Sequence, residues 1–150
     1  FEILARQPDN DTAPQTHRGN AGLYITIDQL LCREQPANAD NSQGLAMFAQ
    51  FGWAPAEYNE INQHYGLGFA YTGLIPARDD DVTGLMISHV NLSPPVQTCQ
   101  GRHSETAIEW FYKCWLSPHI ALKPDVQYII NPGGAGRNSL IFTLRLELAF

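Results

Sequence analysis

The chain has 150 residues, of which 44% are hydrophobic and 16% charged, and its formal net charge is -6. Mean hydropathy is -0.23, and no stretch approaches the roughly 18–20 uninterrupted apolar residues of a membrane-spanning helix. A helical membrane protein is therefore excluded, and an acidic chain without a basic cluster is not expected to bind nucleic acid. A protein that crosses a membrane in strands stays open, because only every second residue of such a strand meets lipid.

Residues 1–6 (FEILAR) read as the tail of a strand, and 7–20 (QPDNDTAPQTHRGN) as a loop rich in turn formers. Seven strands are then expected. The first runs from Ala21 to Arg33, with Leu23, Ile25 and Ile27 on one face and Tyr24, Thr26 and Asp28 on the other. Its alternation weakens at Leu30 and Leu31. After the loop EQPANADNSQ comes Gly44 to Trp53, with Leu45, Met47, Ala49, Phe51 and Trp53 on one face. The third, Ile61 to Gly73, sets Tyr65, Leu67, Phe69 and Tyr71 against the small Gly66, Gly68, Ala70 and Thr72. The fourth, Val82 to Leu92, is apolar on both faces, and a loop from Asn91 to His103 follows it.

In the fifth, Ser104 to Leu116, Ile108, Trp110, Tyr112 and Leu116 oppose Glu105, Glu109 and Lys113. In the sixth, Ala121 to Asn131, Leu122, Val126, Tyr128 and Ile130 oppose Lys123, Asp125, Gln127 and Asn131. The segment NPGGAG at 131–136 is a strong turn signal. The last strand, Ser139 to Phe150, alternates without a break. Leu140, Phe142, Leu144, Leu146, Leu148 and Phe150 share a face opposite Ile141, Thr143, Arg145, Glu147 and Ala149. Strands of this length suit a tilted bilayer crossing of about 9–11 residues. An evenly spaced series without helical periodicity predicts an all-β, antiparallel up-and-down barrel.

Alternation alone does not say which face points outward. A soluble barrel hides its apolar face and would serve as a small binding module for a polar ligand. A transmembrane barrel shows that face to lipid and keeps a polar interior. Aromatic residues near strand ends (Trp53, Tyr58, Tyr71, Trp115, Tyr128 and Phe150) suit interfacial girdles and favour the second. So does the mixture of acids and bases on the polar faces. The regular last strand with its terminal aromatic looks like the closing strand of a bacterial outer-membrane barrel.

The stretches GLYITIDQLLCREQ (22–35), GLAMFAQFGWAPAEYNEIN (44–62) and GLGFAYTGLIPARDDDVTGLMIS (66–88) resemble the carbohydrate-selective porins of the OprB family. SETAIEWFYKCWLSPHIALKPDVQYIINPGG (104–134) and LRLELAF (144–150) extend the resemblance. It implies a channel in the outer membrane of a Gram-negative bacterium. Sugars such as glucose would cross it by passive diffusion, with no cofactor and no enzymatic step. It also implies a barrel of about sixteen strands. Residues 1–150 are then expected to be the C-terminal part of one barrel domain, with 1–20 as strand tail and loop and 21–150 as seven strands. The implied partners are mono- or small oligosaccharides, outer-membrane lipid, and the barrel-assembly machinery acting through the C-terminal strand, with Phe150 as assembly signal. If the C-terminus is periplasmic, parity makes the 132–138 turn and the 91–103 loop with Cys99 extracellular. The 116–120 turn and the 74–81 segment are then periplasmic.

Sugars carry many hydroxyls and no net charge, so a channel for them needs spaced donors and acceptors with apolar surface for stacking. The candidates on the expected lumen face are Asp28, His64, Glu105, Glu109, Phe111, Lys113, Lys123, Asp125, Gln127, Arg145 and Glu147. The bland alternative is mutual neutralisation across strands. Arg78-Asp79-Asp80-Asp81 offers oxygen ligands but not the spacing of a calcium loop, so pairing with the adjacent Arg is expected instead of a metal. Glu105 and Glu109 share a face, as a glycosidase pair would, but nothing else in the chain supports catalysis. Cys32, Cys99 and Cys114 have no metal-ligand spacing and read as incidental thiols.

Overall fold

The computed structural model describes residues 19–34, 43–134 and 136–149, apart from the side chains of 98–100, and folds them into one seven-stranded sheet. The readings made for residues 1–18, for most of the 34–43 loop, for Phe150 and for the Cys99 side chain lie outside the described residues. The strands are β1 (Leu23–Arg33), β2 (Gly44–Trp53), β3 (Ile61–Thr72), β4 (Val82–Leu92), β5 (Ser104–Ser117), β6 (Ile120–Ile130) and β7 (Ser139–Leu148). Each pairs antiparallel with the next in chain order, which is the expected meander. Among the described residues the sheet does not close on itself, and β1 and β7 each keep one unpaired edge.

Register makes the faces continuous across strands. Ile25 pairs with Phe51, Phe51 with Tyr65, Tyr65 with His89 and His89 with Thr106. On the same face Trp110 pairs with Val126, and Val126 with Phe142. The weakened alternation at Leu30 and Leu31 has a structural cause. Leu30 pairs with Ala46 and Cys32 with Leu45, so the register shifts between them and Leu31 is the extra residue of a bulge. Further shifts lie between Ile61 and Gln63 and between Trp115 and Ser117.

Exposure decides which face looks outward. Among the described residues, the buried apolar side chains are only Leu92 and Ala121. Leu85 and Trp110, on inner strands with neighbours on both sides, are 53% and 50% exposed. On the opposite face the side chains of Glu109 and Lys123 are only 14% and 18% exposed, and Asp125 is 4% exposed. Charged groups are crowded while leucine and tryptophan stand open. A sheet that curves toward its polar face produces this inversion; a soluble barrel would produce the reverse. The open apolar surface far exceeds the scattered hydrophobics of a soluble protein. It fits a lipid-facing wall, and the soluble binding module is not favoured.

The two ends of the sheet are built differently. At one end, the loops 54–60, 93–103 and 131–138 are tied together. Ser93 is 1% exposed. Its N–H donates to the Glu60 carbonyl at 2.8 Å, and its hydroxyl donates to the Asn59 carbonyl. Arg102 donates to the Gly133 carbonyl, and the Glu105 carboxylate accepts from the Gly133 N–H. The 93–103 loop holds a helix, α1 (Pro94–Gln100), where only loop was expected. Its prolines occupy the first helical turn, where no backbone donor is required, and Gly101 closes it in the left-handed conformation with φ 64°. Pro94 and Pro95 start the helix.

At the other end, Gly44 opens β2 with φ 143°. A Cβ on Gly44 would sit 2.1 Å from the Cys32 carbonyl oxygen, a backbone atom that cannot rotate away. Gly44→Ala is therefore expected to open the β1–β2 ladder at this end and cost about 1–3 kcal/mol. A lower midpoint for the heat-dependent gel shift of the folded barrel would register it.

Candidate functional site

All the lumen-face candidates fall on the crowded face. Asp28 pairs with Phe48, His64 with Gly52 and Val90, Glu105 with Val90, and Glu109 with Met86 and Gln127. Phe111 pairs with Gly84 and Asp125, Asp125 with Thr143, Lys123 with Arg145, and Lys113 with Val82. Glu147 pairs with Ala121, next to Trp115. A period of two puts these positions on one side of every strand, and the ladder aligns them.

The face has two halves. From β5 to β7 it is a charged wall whose groups partly satisfy one another. Lys113 Nζ lies 2.5 Å from Glu147 Oε2 and 4.6 Å from the centroid of the Trp115 ring. Gln127 Nε2 donates to Glu109 Oε2 at 2.9 Å, and Lys123 Nζ is 4.0 Å from Glu109 Oε1. Lys123 also lies over the Phe111 ring, 4.1 Å from its centroid. Arg145 forms no ion pair among the described residues. Asp125 is the most buried candidate, and its Oδ1 has no hydrogen-bond partner among the described residues. Glu105 and Glu109 are committed to different partners, the Gly133 N–H and Gln127.

From β2 to β4 the same face carries Gly52, Gly66, Gly68, Ala70 and Gly84 between the longer Phe48, Gln50, His64 and Met86. His64 contacts the Ser88 hydroxyl at 3.0 Å. Phe48 lies across Gly68, beside Met86. This seating accounts for the apolar inner face of β4, which was ambiguous in sequence. Three inner-face aromatics were missed among the lining candidates, the first being Tyr24, which pairs with Gly52. Phe48 stood in a strand that seemed to have only one apolar face. Trp115 was placed in a girdle, yet its register with Ala121 and its contact with Lys113 put it on the inner face. Of the other expected girdle residues, Trp53 and Tyr128 do stand exposed on the apolar face.

The 73–81 turn is anchored by Asp81, which is 4% exposed. Asp81 Oδ2 accepts from Arg78 Nε at 2.6 Å and from the Tyr112 hydroxyl, and Oδ1 accepts from the Trp115 N–H at 2.9 Å. Arg78 also donates to the Trp115 carbonyl at 3.3 Å. Burial pushes the Asp81 carboxyl up. The hydrogen bonds from Tyr112, Trp115 and Arg78, with the Arg78 charge, outweigh burial and hold it below the usual carboxylate value. The expected pairing of Arg78 within its acidic run is thus realised with Asp81.

Three similarities bear on this face. The family model described as carbohydrate-selective porin, OprB family, matches residues 2–150. Porin B of Pseudomonas aeruginosa is 25% identical over 171 aligned residues, covering 95% of this chain and 37% of that protein. The high-pH structure of Pseudomonas putida OprB superposes with a TM-score of 0.80 at 21% identity, over 89% of this chain and 36% of that one. At such identity the structural likeness is one of fold. The chain spans little more than a third of the length of either relative.

Proposed function

The chain belongs to the OprB family of carbohydrate-selective porins, and we propose that its seven strands form one stretch of a barrel wall through which neutral sugars diffuse down their gradient. Its place is the outer membrane of a Gram-negative bacterium. The family is one of channels rather than enzymes. The observation that carries the reading is the inverted sheet, with leucine and tryptophan open on one face and acids and bases crowded on the other. Lipid tolerates no open strand edge, so the free edges of β1 and β7 pair with further strands of a closed barrel of about sixteen.

In that barrel the inner face serves neutral polar solutes. Arg145, Lys123, Glu109 and Gln127 offer donors and acceptors to sugar hydroxyls, and charge assistance strengthens each contact without requiring a charged solute. Asp28, His64, Glu105, Lys113, Asp125 and Glu147 complete the lining, several through pairs that keep the wall neutral. Weak, repeated contacts of this kind admit a sugar and release it. Transport is passive and takes no cofactor. The apolar face meets outer-membrane lipid, and the C-terminal strand is the element offered to the barrel-assembly machinery. With a periplasmic C-terminus, the 54–60, 93–103 and 131–138 loops lie outside the cell, and the Asp81 turn lies in the periplasm.

The test is liposome swelling with the purified full-length protein. Glucose is expected to enter with a rate that saturates at high concentration, ahead of charged solutes of similar size. A protein that stays in solution without detergent and opens no glucose path would overturn the proposal.

A further inference from the structure

Phe48 and Gly68 are direct register partners, as are Phe111 and Gly84. A Cβ on Gly68 would lie 2.3 Å from Phe48 Cε1 and 2.6 Å from its Cζ; on Gly84 it would lie 2.4 Å and 2.6 Å from the same atoms of Phe111. Each ring therefore lies down across the glycine opposite it, and each glycine is buried while the ring stays partly open. The seats are close together. Gly84 pairs with Ala70, two residues from Gly68, so the glycines are diagonal neighbours on adjacent strands, about 7–8 Å apart. Phe48 reaches this diagonal from β2 and Phe111 from β5. Two phenyl rings thus lie over neighbouring glycines on the inner face, with Met86, the register partner of Gly68, beside them.

We propose that Phe48 and Phe111 form a stacking platform for the C–H face of a pyranose, and that Gly68 and Gly84 set its height. The proposal rests on the porin reading and deepens it. A pyranose chair presents axial C–H groups on a face and hydroxyls at its rim. The platform offers apolar surface with polar groups on both flanks: Glu109, Gln127 at 2.9 Å from it, and Lys123 beside Phe111, and Asp28 and Gln50 beside Phe48. Lys123 now rests over Phe111, 4.1 Å from the ring centroid, and Glu109 is 4.0 Å from its ammonium. A sugar that takes the place over Phe111 moves Lys123 toward Glu109, and that carboxylate, bound to Gln127 and Lys123, accepts from a rim hydroxyl. A small anion gains nothing from the ring faces, whose quadrupole attracts cations instead. Any side chain larger than hydrogen at the glycines lifts a ring into the channel. At Gly84 the Cβ would also meet the Phe69 carbonyl oxygen at 2.9 Å.

The test compares the full-length protein with Phe48→Leu, Phe111→Leu and Gly84→Ala after reconstitution in liposomes, each first checked for the heat-dependent gel shift of a folded barrel. Leu keeps an apolar cover over the glycine without a flat ring, whereas Gly84→Ala keeps both rings and displaces one. The half-saturating glucose concentration is expected to rise roughly fivefold in each Phe→Leu variant and less in Gly84→Ala, with glycerol entry unchanged. Folded Phe→Leu variants that saturate with glucose as the parent does would overturn the platform and leave the porin reading standing. A parent protein that admits no glucose at all would overturn the porin reading, and the platform with it.

Discussion

Replacing Leu144 by Arg is expected to remove most of the protein from the outer membrane, whereas Glu147→Gln leaves its yield near that of the parent. Leu144 is 69% exposed at the middle of β7, on the face shared by Phe142, Leu146 and Leu148. If that face meets lipid, an arginine there is held near the bilayer midplane, at a cost of about 2–4 kcal/mol. Its side chain is far from both interfaces, so it cannot easily reach water by snorkelling. Glu147 lies three residues on, at the inner end of the same strand, where it pairs with Lys113 at 2.5 Å. Glutamine keeps an acceptor for that ammonium and gives up only the charge. The comparison is made on outer-membrane fractions, by yield and by the heat-dependent gel shift. Equal yields for the two variants would mean that the faces have been assigned the wrong way round.

Which residues share a face was legible because strand periodicity is local; which face points outward was not, and exposure in the fold decides it. In β7 each leucine and each polar neighbour announces its own face, and no partner strand is needed to read it. The same holds for β1 before its bulge, for β2 and for β6. Legibility fails wherever the answer depends on what stands opposite. Phe48 looks like an odd apolar residue in β2 until register sets it across Gly68, and the glycine of β3 looks like a turn or packing residue until the ring covers it. Trp115 reads as a girdle residue until its pairing with Ala121 turns it inward. Met86 and the apolar inner face of β4 become sensible only as neighbours of Phe48.

The loops follow the same logic. Residues 91–103 read as a loop. The helix exists because prolines are tolerated in a first turn and because Gly101 ends it. The ties from Ser93 to 59–60 and from Arg102 and Glu105 to Gly133 join segments far apart in the chain. No local pattern encodes them. The candidate lining was likewise readable as a face, but not as two halves, one charged and one rich in glycine.

Asp81→Ala is expected to lower the stability of the folded barrel by about 2–4 kcal/mol, because three donors lose one buried acceptor together. Arg78, the Tyr112 hydroxyl and the Trp115 N–H all converge on this carboxylate, which joins the turn between β3 and β4 to the end of β5. Asp81 itself was readable only as one of three consecutive acids. Its distinction from Asp79 and Asp80 is burial, and burial comes from a strand that follows it by about thirty residues. The pH dependence follows from the same contacts. The Asp81 carboxyl is held below its ordinary value in the fold, so the unfolded chain takes up a proton first as pH falls. Its contribution is complete above the unfolded value, near pH 4, and is lost as pH falls through the lower folded value. Asp81→Asn keeps an oxygen for the Trp115 N–H but cannot titrate. Urea unfolding of the parent and of Asp81→Asn in detergent, at pH 7 and at steps below pH 4, isolates this one group from the other carboxylates. The gap between the two proteins is expected to be widest at pH 7 and to narrow through the acid steps; a gap that keeps its size would show that the carboxylate charge does not hold the turn.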